Sequence, residues 1–244
     1  MFYTCLPVPN SWPLAFETTA RWVVLVGAVV GGLLAIAHLL LQSLNVPVMV
    51  ASGLIVSLWI LLTGGLHLDG AMDSADGLAV PDKTRRLSVM ADSRVGAFGA
   101  IAAVMLLLLK VMSLSYLLRC GFAECAFKLM FVCMWGRWGQ QWAIARYRYL
   151  KQEGKGAFHK AALPSLSYTL PSLCGLLLSS GLFARLGVVS FSVALQATLG
   201  GLTFSLLTSA YFARHLGGHT GDTYGAVVEW TEALLLCLLT IEVY

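Results

Sequence analysis
Long apolar runs divided by short polar connections set the pattern of this chain. Seven runs, at about 22–44, 46–66, 96–118, 122–145, 165–184, 187–212 and 225–243, approach or exceed the ~20 residues that a helix needs to cross the hydrocarbon core of a bilayer. A helix satisfies its own backbone hydrogen bonds, which hydrocarbon cannot do for it. The pattern therefore predicts an all-α, polytopic helical membrane protein with about seven transmembrane helices in one domain spanning residues 1–244. Two runs carry charge. The fourth holds Glu124, Lys128 and Arg137, and the seventh holds Glu229 and Glu232. Glu124 and Lys128 stand at i, i+4 and are expected to pair structurally. Carboxylates below the interface are costly unless paired or functional, and Lys110 or Arg137 is the expected partner of Glu229 and Glu232.

The connections are unequal. Arg21, Lys83, Arg85, Arg86, Arg94, Arg146, Arg148, Lys151, Lys155, Lys160 and Arg214 fall on one side, and only Arg119 and Arg185 on the other. Basic residues are retained on the cytoplasmic side, so the N-terminus is expected in the cytoplasm. The long connections 67–95, 146–164 and 213–224 then share that side. Chemistry gathered on one face suits an enzyme better than a transporter, whose polar groups sit near the midplane. Trp135, Trp138 and Trp142 fall near the same end of the fourth run and read as an interfacial aromatic belt.

Composition sharpens this. Residues are 58% hydrophobic and 11% charged, against roughly 25% charged in soluble domains. That excludes a disordered chain and argues against a soluble enzyme. The net charge of +4 is modest and not massed on one face, so nucleic acid is not an expected partner. Six cysteines show no CxxC spacing, and most are expected to pack as small hydrophobes. The first 20 residues lack a basic n-region and contain Glu17, Pro7, Pro9 and Pro13, so membrane entry is expected to use the first run.

Candidate chemistry starts at Gly64–Leu78, GGLHLDGAMDSADGL. Asp69, Asp73 and Asp76 stand at i, i+4, i+7, which puts them on one helical face within an arc of about 60°. Like charges so placed repel, and a cation resolves the repulsion. Carboxylate oxygens suit Mg²⁺, which keeps waters and shares phosphate oxygens with its protein ligands. The expected ligands are Asp69, Asp73 and Asp76, and the expected cargo is a phosphate ester or pyrophosphate. Gly64, Gly65, Gly70 and Gly77 permit a helix break and close approach to a bulky anion. A solvated acidic face is the plainer alternative.

Two further stretches belong with it. In MADSRVGAFGA, Asp92 could add a ligand or take a proton, Ser93 could cap the third span, and Arg94 offers a fork for phosphate. In HLGGHTGDTYGA, Gly218, Thr220 and Asp222 suit a loop that contacts a nucleotide, and His219 is a candidate base beside His67 and Asp92. His67 could equally serve as a hydrogen-bonding residue at a helix end. The loop RYRYLKQEGKGAF supplies Lys155 as a phosphate contact, although most of its charge reads as orientation signal.

These stretches, in this order along nearly the whole chain, together with YTCLPVP at Tyr3–Pro9, resemble the cobalamin synthase family, the adenosylcobinamide-GDP ribazoletransferases. Cys5 stands where that family often has Arg. The resemblance implies that adenosylcobinamide-GDP and α-ribazole 5′-phosphate (or α-ribazole) give adenosylcobalamin 5′-phosphate (or adenosylcobalamin) and GMP. It also implies Mg²⁺ dependence and a bacterial inner membrane. Two rival readings remain: another Mg²⁺-dependent prenyl or CDP-alcohol transferase, whose DG-x-x-AR signature is absent after Asp69-Gly70, and a transporter of a phosphorylated solute, for which no repeat of the acidic motif occurs.

Overall fold
The computed structural model describes residues 4–5, 16–151 and 155–241. The expected role of Tyr3–Trp12 at the interface or site mouth lies outside the described residues, apart from Thr4 and Cys5. The described residues form ten α-helices, in order α1 (Val23–Ser43), α2 (Val48–Thr63), α3 (Leu66–Ala79), α4 (Arg86–Val89), α5 (Ala97–Leu117), α6 (Phe122–Arg146), α7 (Lys155–Ala162), α8 (Leu170–Arg185), α9 (Phe191–Leu216) and α10 (Gly221–Leu238). The one extended pairing among the described residues is a parallel bridge between Tyr149 and His219.

α1, α5, α9 and the segment Leu166–Arg185 are long and apolar enough to cross a membrane; α2 with α3 makes a fifth if that bent pair counts as one span. α6 and α10 fall short of this apolarity for a physical reason. α6 is the axis of the bundle, packed by α1, α9 and α10. It buries Arg137, Gln140 and Gln141 against protein, not lipid. Arg137 bonds His67 and Gln141 bonds the Ala20 and Arg21 carbonyls, so these two side chains are satisfied by protein.

Close packing comes from small residues. Gly27 and Gly31 set α1 directly on the α6 backbone at Cys133 and Met130, the close approach that small residues allow between membrane helices. Trp135 and Trp138 are buried in the apolar core beside Phe131, and Trp138 Nε1 donates to the Thr169 carbonyl at 3.3 Å. The expected aromatic belt is thus corrected: two of its three members are core side chains, because their face of α6 meets other helices. Of the six free cysteines, only Cys125 and Cys133 are buried, so burial holds for two and not for most.

Charged pairs inside the bundle follow expectation. Lys128 Nζ lies 2.6 Å from Glu124 Oε1. Lys110 Nζ, on α5, lies 2.7 Å from Glu229 Oε2 and 2.8 Å from Glu232 Oε2 on α10. Its ammonium also sits over the Trp59 ring, 4.3 Å from the centroid. Isolated charges would be expelled from such a core; these are mutually compensated.

α2 ends where Gly64 and Gly65 take left-handed φ values of 65° and 70°, a conformation that glycine adopts without a Cβ penalty. The chain turns by 89° there into α3. At 14 residues, about 21 Å, α3 does not extend the span of α2. It forms a ledge packed between the start of α5 and α10.

Candidate active site
α3 carries the acidic face. Asp69 is exposed, and Asp73 and Asp76 are half-buried. Gly70 brings this face against α10: a Cβ there would overlap the Asp222 backbone. α10 begins with a capping box, in which the Thr220 hydroxyl accepts the Thr223 N–H and the Thr223 hydroxyl accepts the Thr220 N–H. The box holds Asp222 in the first turn, over α3. Lys151 Nζ donates to Asp222 Oδ2 at 3.1 Å, as does the Thr220 hydroxyl at 3.2 Å.

The Asp73 carboxyl is pushed up to about 7, first by burial and then by the charges of Asp69, Asp222 and Asp76, with Lys151 opposing. Its charged form is under-compensated by the protein. Asp69, Asp73 and Asp222 offer only oxygen donors, which suits a hard divalent cation. No group of three or more His, Cys, Asp or Glu among the described residues is arranged to hold a metal alone. Mg²⁺ does not require one, since waters and substrate phosphates complete its shell.

Asp76 has another partner. Its Oδ2 accepts the Gly96 N–H and its Oδ1 the Gly99 N–H, each at 2.8 Å. The two glycines of RVGAFG let the start of α5 settle on this carboxylate; a Cβ on either would collide with it. The cap expected from Ser93 is absent: α5 has Gly96 at its N-cap position and no side-chain cap of its own. Asp76 supplies that acceptor from another helix.

The remaining expected residues divide. Arg94 is exposed and donates to both oxygens of Asp92, the shortest contact being 2.6 Å. Arg94, by side-chain and backbone hydrogen bonds, holds the Asp92 carboxyl down at about 2, which makes it a poor proton acceptor. His219 is fully buried. Its Nε2 faces the Ser209 carbonyl at 3.1 Å and must donate to it, leaving Nδ1 to accept from the Thr223 hydroxyl at 3.0 Å. Burial pushes His219 down to about 4. His67 is buried against α10 at Gly225. Arg137 Nη1 donates to its Nε2 at 2.9 Å, so that nitrogen is not open to a substrate proton. None of the three expected bases is presented in an accepting state.

Gly64 and Gly65 shape the α2–α3 turn, and Gly64 lies against Cys5 Sγ. Gly218 lies on the Arg148 carbonyl, within a pairing of two loops: Leu150 N–H to His219 O at 2.8 Å and His219 N–H to Arg148 O at 2.9 Å. Arg148 Nε adds a bond to Gly217 O at 2.6 Å. This pairing delivers Lys151 to Asp222. Lys155 opens α7, and its side chain lies outside the described residues. Nothing in the sequence distinguishes Lys151 from the other basic residues of its loop, because its partner is 71 residues away.

The described residues form a helical protein of membrane type, with four or five membrane-length helices and a carboxylate cluster where α3 meets α10. The family model described as cobalamin-5-phosphate synthase matches residues 1–240, and the chain belongs to that family. It is 51% identical to the adenosylcobinamide-GDP ribazoletransferase of Trichormus variabilis, over 99% of this chain and 94% of that one. Identity is 53% to the protein of the same name from Thermosynechococcus vestitus, over 98% and 93%, and 43% to that from Synechocystis sp., over 99% and 92%. No solved structure matches the chain.

Proposed function
We propose that this chain is an adenosylcobinamide-GDP ribazoletransferase. It transfers the phosphocobinamide moiety of adenosylcobinamide-GDP to α-ribazole 5′-phosphate or α-ribazole and releases GMP. The observation that carries the reading is the packing of Asp69 and Asp73 under Asp222 at the Gly70 crossing, within a chain related to such transferases along its length.

Asp69, Asp73 and Asp222 would hold Mg²⁺, which when bound would neutralise pyrophosphate charge. The chain's own residues orient the substrate. The α-ribazole hydroxyl attacks the phosphorus that bears cobinamide; the new P–O bond forms as the bond to the GMP oxygen breaks, and the hydroxyl proton leaves to water or to the phosphate of departing GMP. Such transfers depend on positioning and charge compensation more than on a strong base. Lys151, bound to Asp222, is placed to turn to the phosphates and offset charge on departing GMP. Arg94, exposed at the rim, can exchange Asp92 for a phosphate. Asp76 fixes α5 beneath the acidic face.

The uneven basic residues support a cytoplasmic N-terminus, a cytoplasmic active face and seven spans in a bacterial inner membrane, with α6 and α10 as spans shielded by their neighbours. The test is purified protein in lipid nanodiscs with Mg²⁺, adenosylcobinamide-GDP and α-ribazole 5′-phosphate. Stoichiometric GMP and adenosylcobalamin 5′-phosphate are expected. Movement of intact substrate across vesicles with no GMP formed would refute the transferase reading.

A further inference from the structure
A cavity of about 740 Å³ opens between α3, α5, α9 and α10. Its α3 wall is Ala71, Ala75 and Leu78. At 100° per residue these lie about 180–240° around the helix from Asp69. A phosphate held on the acidic face cannot reach this cavity without passing around the helix, so the cavity is set apart from the phosphate-holding face. Small alanines on the ledge leave space that neighbouring helices do not fill.

The outer walls are the first turns of α5 and the last turns of α9. Phe98, Met105 and Leu207 there are about half exposed and apolar. Phe98 to Met105 covers about 10 Å of α5, and Leu207 to His215 about 12 Å of α9, comparable to the ~15 Å of one leaflet's hydrocarbon. Apart from Thr208, Tyr211 and Trp230 the walls are apolar, and basic side chains occur at one rim alone. Arg214 and His215 line it, and no carboxylate lines any part of the cavity. Arg86 Nη1 donates to the His215 carbonyl at 2.9 Å, bringing another cation to that edge. Arg214 is exposed and has no carboxylate partner among the described residues.

We propose that this cavity binds one anionic phospholipid of the adjoining leaflet, an acyl chain lying along α3 and the phosphate headgroup at Arg214. Apolar walls of single-leaflet depth fit the chain, and the cationic rim fits the head. A corrin ring fits poorly, because its peripheral amides would be buried without partners. The lipid fills the space behind the helix that carries the aspartates, so the bilayer forms part of the support of the active face.

The full-length protein is extracted from nanodiscs made of phosphatidylcholine and phosphatidylglycerol in equal parts, and retained lipid is measured by native mass spectrometry. Wild type is expected to retain one phosphatidylglycerol in preference to phosphatidylcholine. Arg214→Gln should reduce that preference about fivefold, the factor equivalent to ~1 kcal/mol for a basic residue at an anionic surface. Leu207→Trp, at an exposed wall position, should lower retention of both lipids. Equal retention of the two lipids by wild type, or retention unchanged in both variants, overturns the proposal. Displacement of lipid by adenosylcobinamide-GDP also overturns it, by making the cavity a substrate site. These readouts do not depend on turnover, so they stand apart from the transferase assignment.

Discussion

Gly70 lies against the backbone of Asp222, with no room between them for a Cβ. This single approach sets the acidic face of α3 under the first turn of α10. Gly70→Ala must push the helices apart. Overpacking of this kind costs about 1–3 kcal/mol, and a displacement near 1 Å at a reacting centre costs up to about a hundredfold in rate. Gly53→Ala, with nothing within 4 Å of the added atom, should be neutral or stabilising by up to about 1 kcal/mol. Thermal unfolding and GMP release on both variants check the contrast.

Asp73 and Asp76 share a helical face but should respond differently to substitution. Asp76→Asn can accept only one of the two N–H groups from Gly96 and Gly99, and its amide faces the other as a second donor. Stability should fall by about 1–3 kcal/mol. Asp73→Asn removes a charge that its surroundings disfavour; the apo protein should unfold at the same or a higher temperature while GMP release falls sharply. If Asp73→Asn unfolds early and keeps its turnover, the roles assigned to the two aspartates are wrong.

Apolar runs located the long helices, and the run at 122–145 coincides with α6 in spite of its charges, which are paired in the protein interior. The run at 225–243 starts four residues after α10 does, because the polar first turn of α10 is packed on α3 and carries no apolar signal. The spacing of Asp69, Asp73 and Asp76 foretold a shared helical face, and it lies on α3. What spacing could not reveal is tertiary choice: Asp76 serves α5, Arg137 serves His67, and Lys151 reaches Asp222 across 71 positions. The glycines of RVGAFG were a usable signal, since two small residues at a helix start mark close approach. The direction of that approach requires the fold.

Two histidines outside the spans should weaken the protein in acid. His159 and His219 are each pushed from the ordinary 6.5 to about 4, chiefly by burial. Between those values the unfolded chain binds more protons than the folded one. Their contribution is therefore complete above pH 6.5 and lost as pH falls towards 4, by at most about 3 kcal/mol each. Asp73 acts with the opposite sign between about pH 7 and pH 4, because its folded form holds the proton more tightly. The histidine share is isolated by comparing parent and His159→Gln at each pH. Their stability difference should shrink on acidification; a difference that widens would contradict the assignment.

Lys110 tests whether the buried charges are a balanced set. It bonds Glu229 and Glu232 at 2.7 and 2.8 Å, and Arg137 is within electrostatic reach of Glu232. Two cations thus face two anions. Lys110→Met leaves an excess anion in a core with little water and should cost about 3–5 kcal/mol. Adding Glu229→Gln restores neutrality, leaving Arg137 with Glu232, and should recover much of that loss even though a second native group is gone. Additive destabilisation in the double variant would mean that each side chain is held by its own packing. Recovery would mean that net charge is the controlling quantity, and that α5, α6 and α10 assemble only as a neutral set beneath the ledge bearing the aspartates.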